Sequence, residues 1–540
     1  MRSLLGLLAV ALLALLAIPA AGDELLPADR TVEEVIDHYI ELKLQAAGVS
    51  PAPSADDANL LRRTMLDVVG RPPTVAEARA FVTDAGEGKR VALVDRLMAS
   101  PAFIRQQVAE FDALLMRDTK ASLRDYLTKA FGENRSWDRM FRDMIVGESD
   151  DPQQKGAIAF VRARAKDQDR LATDTSVLFF GVNVSCAKCH DHPLVDDWKQ
   201  EHYYGMKSFF SRTFDVGEFV GEKDYGIVKY QTALGASHDA RLMFLTGEVL
   251  SEPDAKEPDD NARKEEKKQL EELKKKKEPP PSPTYSRRAR LVEVALQPQS
   301  EPWFARAIVN HLFQRFFGRG LVMPVDQMHS GNTPSHPELL AWLARDMQSH
   351  NYDLKRMIRG MVLSRAYARS SRWESASPRP ADDLFAAAIV RPLTPWQYGT
   401  SLKLAATNPD TLSGKLPAEQ LEQRIQPLEA AGRSLAEKVE YPADGFQVSV
   451  DEALFLSNSE KAMQELLQGG DDSLLAKLTQ FSDRREAIET AVWNVLGRGP
   501  AEEELQALDE FLARRHDNLP AAYKQMIWAL LTSSECRFNY

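Results

Sequence analysis

The stretch Asp174-Thr175-Ser176-Val177-Leu178-Phe179-Phe180-Gly181 leads through Val182-Asn183-Val184-Ser185 into Cys186-Ala187-Lys188-Cys189-His190-Asp191-His192-Pro193. An apolar run that stops at a glycine reads as a helix end, since glycine enters the left-handed conformation without a Cβ clash. Asp174 or Thr175 is the expected cap, and Ser176 to Phe180 the helix. Beyond Gly181 a Cys-x-x-Cys-His motif sits at a helix junction. Two thiols three positions apart reach the two vinyl groups of one porphyrin, and the next imidazole becomes the axial ligand of its iron. On that reading Cys186, Cys189 and His190 bind haem c. The spacing also fits half of a zinc site, with Cys186, Cys189, His190 and His192 as donors. A dithiol–disulfide couple or two thiols of no special role share it as well. Cys536 is the only other cysteine, so no second pair completes a four-thiolate cage.

The N-terminus bears on that choice. Arg2, the apolar run Leu4 to Leu16 and Pro19-Ala20-Ala21-Gly22 have the form of a cleavable signal peptide over residues 1–22. The expected destination is the periplasm, the cell surface or the extracellular space, and export is where c-type haem is attached. No cysteine follows the apolar run, which argues against a lipid anchor. After Asp23 no apolar stretch reaches the roughly 18 residues of a membrane helix, so the mature chain is not expected to be integral to a membrane. Three cysteines in 540 residues are no disulfide scaffold. A net charge of −11 leaves no basic footprint for nucleic acid.

Hydrophobic spacing predicts a mainly α protein. Thr31 with Glu34 and Thr74 with Glu77 are capping boxes, and Lys89 to Met98, Pro101 to Met116 and Pro302 to Phe317 carry helical periodicity. Ser335 with Glu338 reads as a further box before Leu339. Trp198, Tyr203, Tyr204, Met206, Phe209 and Phe210 serve either as core or as apolar walls for a haem. Residues 213–250 look different, with Ile227 to Tyr230 and Leu242 to Leu245 as short strands. Glu252 to Pro283 is a charged, proline-containing segment, part of which (Ala262 to Lys277) suits a solvated helix. The expected division is residues 23–250 as a helical domain with a small β-containing insertion, 251–285 as linker, and 286–540 as a second helical domain.

The chain also echoes itself. Thr64 to Glu77 and Thr490 to Glu504 both place a Gly-Arg pair between two helices, with a glutamate six residues after the arginine. A duplicated helix–turn–helix unit explains this, with Arg71 and Arg498 tying down carbonyls or a carboxylate.

These residues carry a resemblance. The Asp174 to Pro193 stretch, with Trp198, Tyr203-Tyr204-Gly205 and the earlier Leu66-Asp67, Gly70 to Thr74 and Glu77, resembles the planctomycete cytochrome-like domain of unknown function. Asn310, Phe317 to Val322, Pro324, Asp326, Pro334 to Leu340 and Trp342 to Ala344 resemble its companion, a second secreted planctomycete domain. His311 and Phe313 depart from that pattern, where Arg and Trp are expected. The resemblance implies Cys186 and Cys189 as thioether positions and His190 as axial ligand. The expected function is an exported monohaem c-type cytochrome-like module that exchanges electrons with a redox partner protein of the cell envelope. A zinc-stapled structural or binding protein is the alternative, and a haem peroxidase-like enzyme using Asp191 and His192 is a third. No hydrolase, zinc-protease or phosphate-loop motif occurs, and no catalytic residue is assigned. Candidates for the sixth iron ligand are His202, Met206, His238, Met243, His329 and His336.

Overall fold

The structure is a computed structural model that describes residues 25–540, except 148–150, 152, 194, 233–234, 255, 298–301, 437–462, 465 and 468–469. The expected signal peptide lies outside the described residues. The fold is mainly α, with three two-stranded sheets among the described residues. No helix among these residues is long and apolar enough to cross a membrane.

The first helices form as their caps predict. Thr31 accepts from the Glu34 N–H while Glu34 returns to the Thr31 N–H, opening Val32–Ala46. Asp56 opens Asp57–Val69 by accepting the Asn59 N–H at 2.9 Å. Their apolar faces join one large hydrophobic cluster that takes side chains from both sides of residues 251–285. At its centre the Phe141 ring lies 4.7 Å from Phe179 and 4.9 Å from Phe304. Helix Gln168–Phe180, which leads to the cysteines, therefore shares an aromatic centre with helix Trp303–Phe317. A second cluster gathers Leu393, Tyr398, Ile488, Ile527 and Cys536, and includes Leu66 from the second helix.

Asp67 joins these parts. Its carboxylate accepts from Tyr367 Oη at 2.7 Å, Arg391 at 2.7 Å and Asn539 at 2.9 Å. A buried carboxylate is tolerated when its lone pairs are filled this way. The two Gly-Arg turns are alike in detail. Gly70 and Gly497 both end a helix at φ 75°, Arg71 donates to the Pro72 carbonyl and Arg498 to that of Gly499. Arg71 then pairs with Glu77 at 2.8 Å, and Arg498 with Glu504 at 2.8 Å. The echo is a repeated structural unit.

Several expectations change. Helix Gln168–Phe180 starts at Asp167, which accepts from the Arg170 N–H, so Asp174 and Thr175 are interior positions. The Thr175 and Ser176 hydroxyls fold back onto the Leu171 and Ala172 carbonyls, which a helix interior permits. Strands occupy Thr213–Val216, Phe219–Glu222, Lys229–Gln231 and Ser237–Asp239. Leu242 to Leu245 is instead a buried turn with a single bridge from Met243 to Val249. Ser335 does not cap helix Pro337–Ser349; its hydroxyl faces His336 Nδ1 at 3.1 Å. The charged segment forms helix Asp260–Lys276, which buries none of its residues and is held by Glu266 pairing with Lys223 at 2.9 Å.

Candidate functional site

Gly181 ends the lead helix in the left-handed conformation, and the chain makes a short 3₁₀ turn over Ser185–Lys188. Ala187 points inward and is fully buried, so its neighbours Cys186 and Cys189 face solvent. His190 is exposed as well. Both thiols are free and exposed.

The frame of this turn is fixed from three sides. On the first, Lys188 pairs with Asp169 at 2.8 Å, and Asp169 also takes Lys207 at 2.5 Å and Tyr203 Oη at 2.7 Å. Burial opposes charge on Asp169, yet these donors outweigh it and hold the carboxyl well below the usual carboxylate range. On the second, the Lys188 carbonyl accepts from Gln200 Nε2 and Tyr204 Oη, each at 3.2 Å. Gln200 also donates its N–H to Asp191 Oδ1 at 2.9 Å and its side-chain amide to the Gln231 carbonyl at 3.0 Å. The His192 N–H closes the loop onto the Trp198 carbonyl at 2.8 Å.

The third side comes from far along the chain. The Asn183 N–H donates to the Asp326 carbonyl at 2.8 Å, and its amide to Asp326 Oδ2 at 3.2 Å. The Met328 N–H donates to the Gly181 carbonyl at 3.0 Å. Ser330 gives Asp197 its N–H at 2.7 Å and its hydroxyl at 2.5 Å. This segment is itself shaped by Asn310, which is fully buried and exchanges two hydrogen bonds with the Val322 backbone at 2.9 and 3.0 Å. A Cβ at Gly320 would lie 2.8 Å from Asn310 Oδ1, so a side chain there is excluded.

His190 Nδ1 lies 2.6 Å from the Asp191 carbonyl oxygen. A carbonyl only accepts, so Nδ1 carries the proton and Nε2 is the nitrogen left for a metal. The donor set thus fits covalent haem attachment: two accessible thiols and an imidazole of the required tautomer. Among the described residues no three His, Cys, Asp or Glu side chains gather around one point.

Trp198, Tyr203, Met206, Phe209 and Phe210 are buried core. Tyr204 is the exception. It stacks on Tyr230 at 4.3 Å with the rings 9° apart, and Tyr230 stacks on His238 at 5.6 Å. His311 Nε2 is buried, and burial pushes that imidazole down to about 4. Sequence reading missed Asp169, Asn183, Gln200 and Ser330 as supports. They are polar residues whose partners lie elsewhere in the chain, and only Asp326 carried a signal, through the companion pattern.

Residues 35–215 match the family model PSCyt2, a protein of unknown function (DUF1549), and residues 287–512 match PSD1, a protein of unknown function (DUF1553). The two stand in the order that the sequence resemblance implies. The first contains the cysteine turn and the second the segment that buttresses it. No curated protein and no solved structure matches the chain.

Proposed function

We propose that the protein is an exported monohaem c-type cytochrome-like module, attached to its haem through Cys186 and Cys189 and ligated by His190, that passes electrons to a partner protein of the cell envelope. The observation that carries this reading is the division of labour in the turn. Its backbone and Lys188 hold the fold, while the two thiols and His190 are exposed, and neither the thiols nor His190 Nε2 makes a hydrogen bond among the described residues. The Nδ1 bond to the Asp191 carbonyl orients the ring and strengthens Nε2 as a donor. Bound haem would supply a one-electron centre. Asp191 is engaged by the Gln200 N–H, which favours a structural role for it over acid–base catalysis.

The test is the absorption spectrum of protein produced with c-type haem maturation machinery, followed by pyridine haemochrome assay on the denatured chain. The reading predicts a Soret band that stays with the denatured polypeptide and disappears in Cys186→Ala/Cys189→Ala. A chain without a Soret band that carries about one equivalent of zinc contradicts it and supports the zinc-stapled alternative.

A further inference from the structure

We infer that a cleft where helix Asp57–Val69, helix Trp303–Phe317 and residues 385–391 meet binds one small monovalent anion of halide size, held by Arg63. The cleft offers about 10 Å³, room for a single atom-sized guest. Phe317, Phe385 and Ala388 contribute apolar walls, and Arg63, Tyr367 and Arg391 bring the polar groups. Arg63 is 3% exposed. Its Nη1 donates to the carbonyls of Tyr367 at 2.5 Å and Arg369 at 2.9 Å, and its Nε to the main-chain oxygen of Tyr540 at 3.3 Å. Nη2 is buried and has no hydrogen-bond partner among the described residues.

The carboxylate of this junction does not fill that gap. Asp67 accepts from Tyr367, Arg391 and Asn539, not from Arg63. Burial pushes the Arg63 guanidinium below its ordinary value and the Arg391 charge acts the same way, while Asp67 opposes them. Arg391 is itself engaged, with Nη1 on the Arg315 carbonyl and Nη2 on Asp67 at 2.7 Å. A buried cation with an open donor is costly until a counter-charge reaches it. A water in the cleft would accept the Nη2 hydrogen bond but leave the charge uncompensated. An anion does both. The size of the cleft excludes sulfate and phosphate, and its aromatic walls suit an ion that sheds its hydration shell easily. Bound there, the ion would tie a helix of the first family region to a helix and a strand of the second.

The experiment follows the thermal midpoint of the full mature chain at fixed ionic strength as sodium chloride replaces sodium gluconate, whose anion is too large for the cleft. Wild type should gain about 1–2 °C along a saturating curve, because an ion that binds only the folded state stabilises it. Bromide should act as chloride does. Arg63→Gln, which removes the donor, and Ala388→Val, which keeps Arg63 and fills the cleft, should both lose the saturating rise. Ala388→Val decides the matter if Arg63→Gln fails to fold. Crystals soaked in bromide should show an anomalous peak beside Arg63 Nη2. A wild type without a saturating rise, a rise that survives in either folded variant, or a cleft that holds water and no bromide overturns the inference. The haem reading stands or falls separately.

Discussion

The turn at Gly70–Glu77 and the turn at Cys186–Pro193 both follow a helix that ends in a left-handed glycine, and they use their side chains in opposite ways. In the first, Arg71 and Glu77 are turned inward, at 6% and 17% exposure, and bond to each other and to the local backbone. In the second, the side chains at 186, 189 and 190 are exposed, and the turn is held by Asp169, Gln200, Asn183 and the distant Asp326 and Ser330. A turn that only shapes the chain consumes its own bonding groups. A turn whose own side chains are left exposed borrows its rigidity from neighbours, which is the arrangement the proposed haem attachment would need.

The largest effect belongs to the self-contained turn. Arg71→Ala leaves Glu77 buried without its partner and should lower unfolding free energy by about 3–5 kcal/mol, read by chemical denaturation. The more exposed copy, Arg498→Ala, which also pairs with Glu535 at 2.5 Å, should cost about 2 kcal/mol; equal losses would break the ranking by burial. Burial opposes charge on Glu77, but Arg71 and the Thr74 bonds overcome it, so its carboxyl titrates below the ordinary range. The contribution is therefore complete above about pH 4.3, the usual glutamate value, and is lost as pH falls through the depressed folded value. The stability gap between wild type and Glu77→Gln should stay constant near neutrality and shrink below about pH 4.3.

Changes around the borrowed frame come next. Asn310→Ala strips the Val322 backbone of both partners and should cost about 2 kcal/mol, while raising hydrogen exchange at Val182 to Cys189 on the other side of the junction. Exchange that rises only near Val322 would show that the companion segment does not support the cysteine turn. The smallest effect is expected for Lys188→Ala. Its pair with Asp169 is half exposed, and such pairs contribute about 0–1 kcal/mol. A loss above about 2 kcal/mol in thermal unfolding would mean that the turn depends on its own side chains after all.

The sequence made the local parts readable. The Thr31 and Thr74 capping boxes, the Gly-Arg turns and the solvated helix near residue 260 depend on neighbours within about six residues, and all appear as expected. The cysteine motif was equally plain, because spacing alone defines it. What stayed hidden has partners far away in sequence. Asp167 caps the helix, which begins further back than expected, and Asp174 lies inside it, paired with Arg164 at 2.6 Å. The pairing of Asn183 with Asp326 spans 143 positions, and no periodicity encodes it. The Tyr204 ladder was read as part of an aromatic run, since a helix-spaced tyrosine looks the same whether it faces core or surface.

Whether the fold leaves two thiols free for covalent attachment can be read by differential alkylation and mass spectrometry of tryptic fragments, on protein made with and without haem maturation. Cys186 and Cys189 should alkylate rapidly in the unmatured folded chain, with Cys536 protected until unfolding, and neither 186 nor 189 should react once the protein is matured. Full alkylation of both cysteines in the matured protein would contradict covalent attachment at this turn.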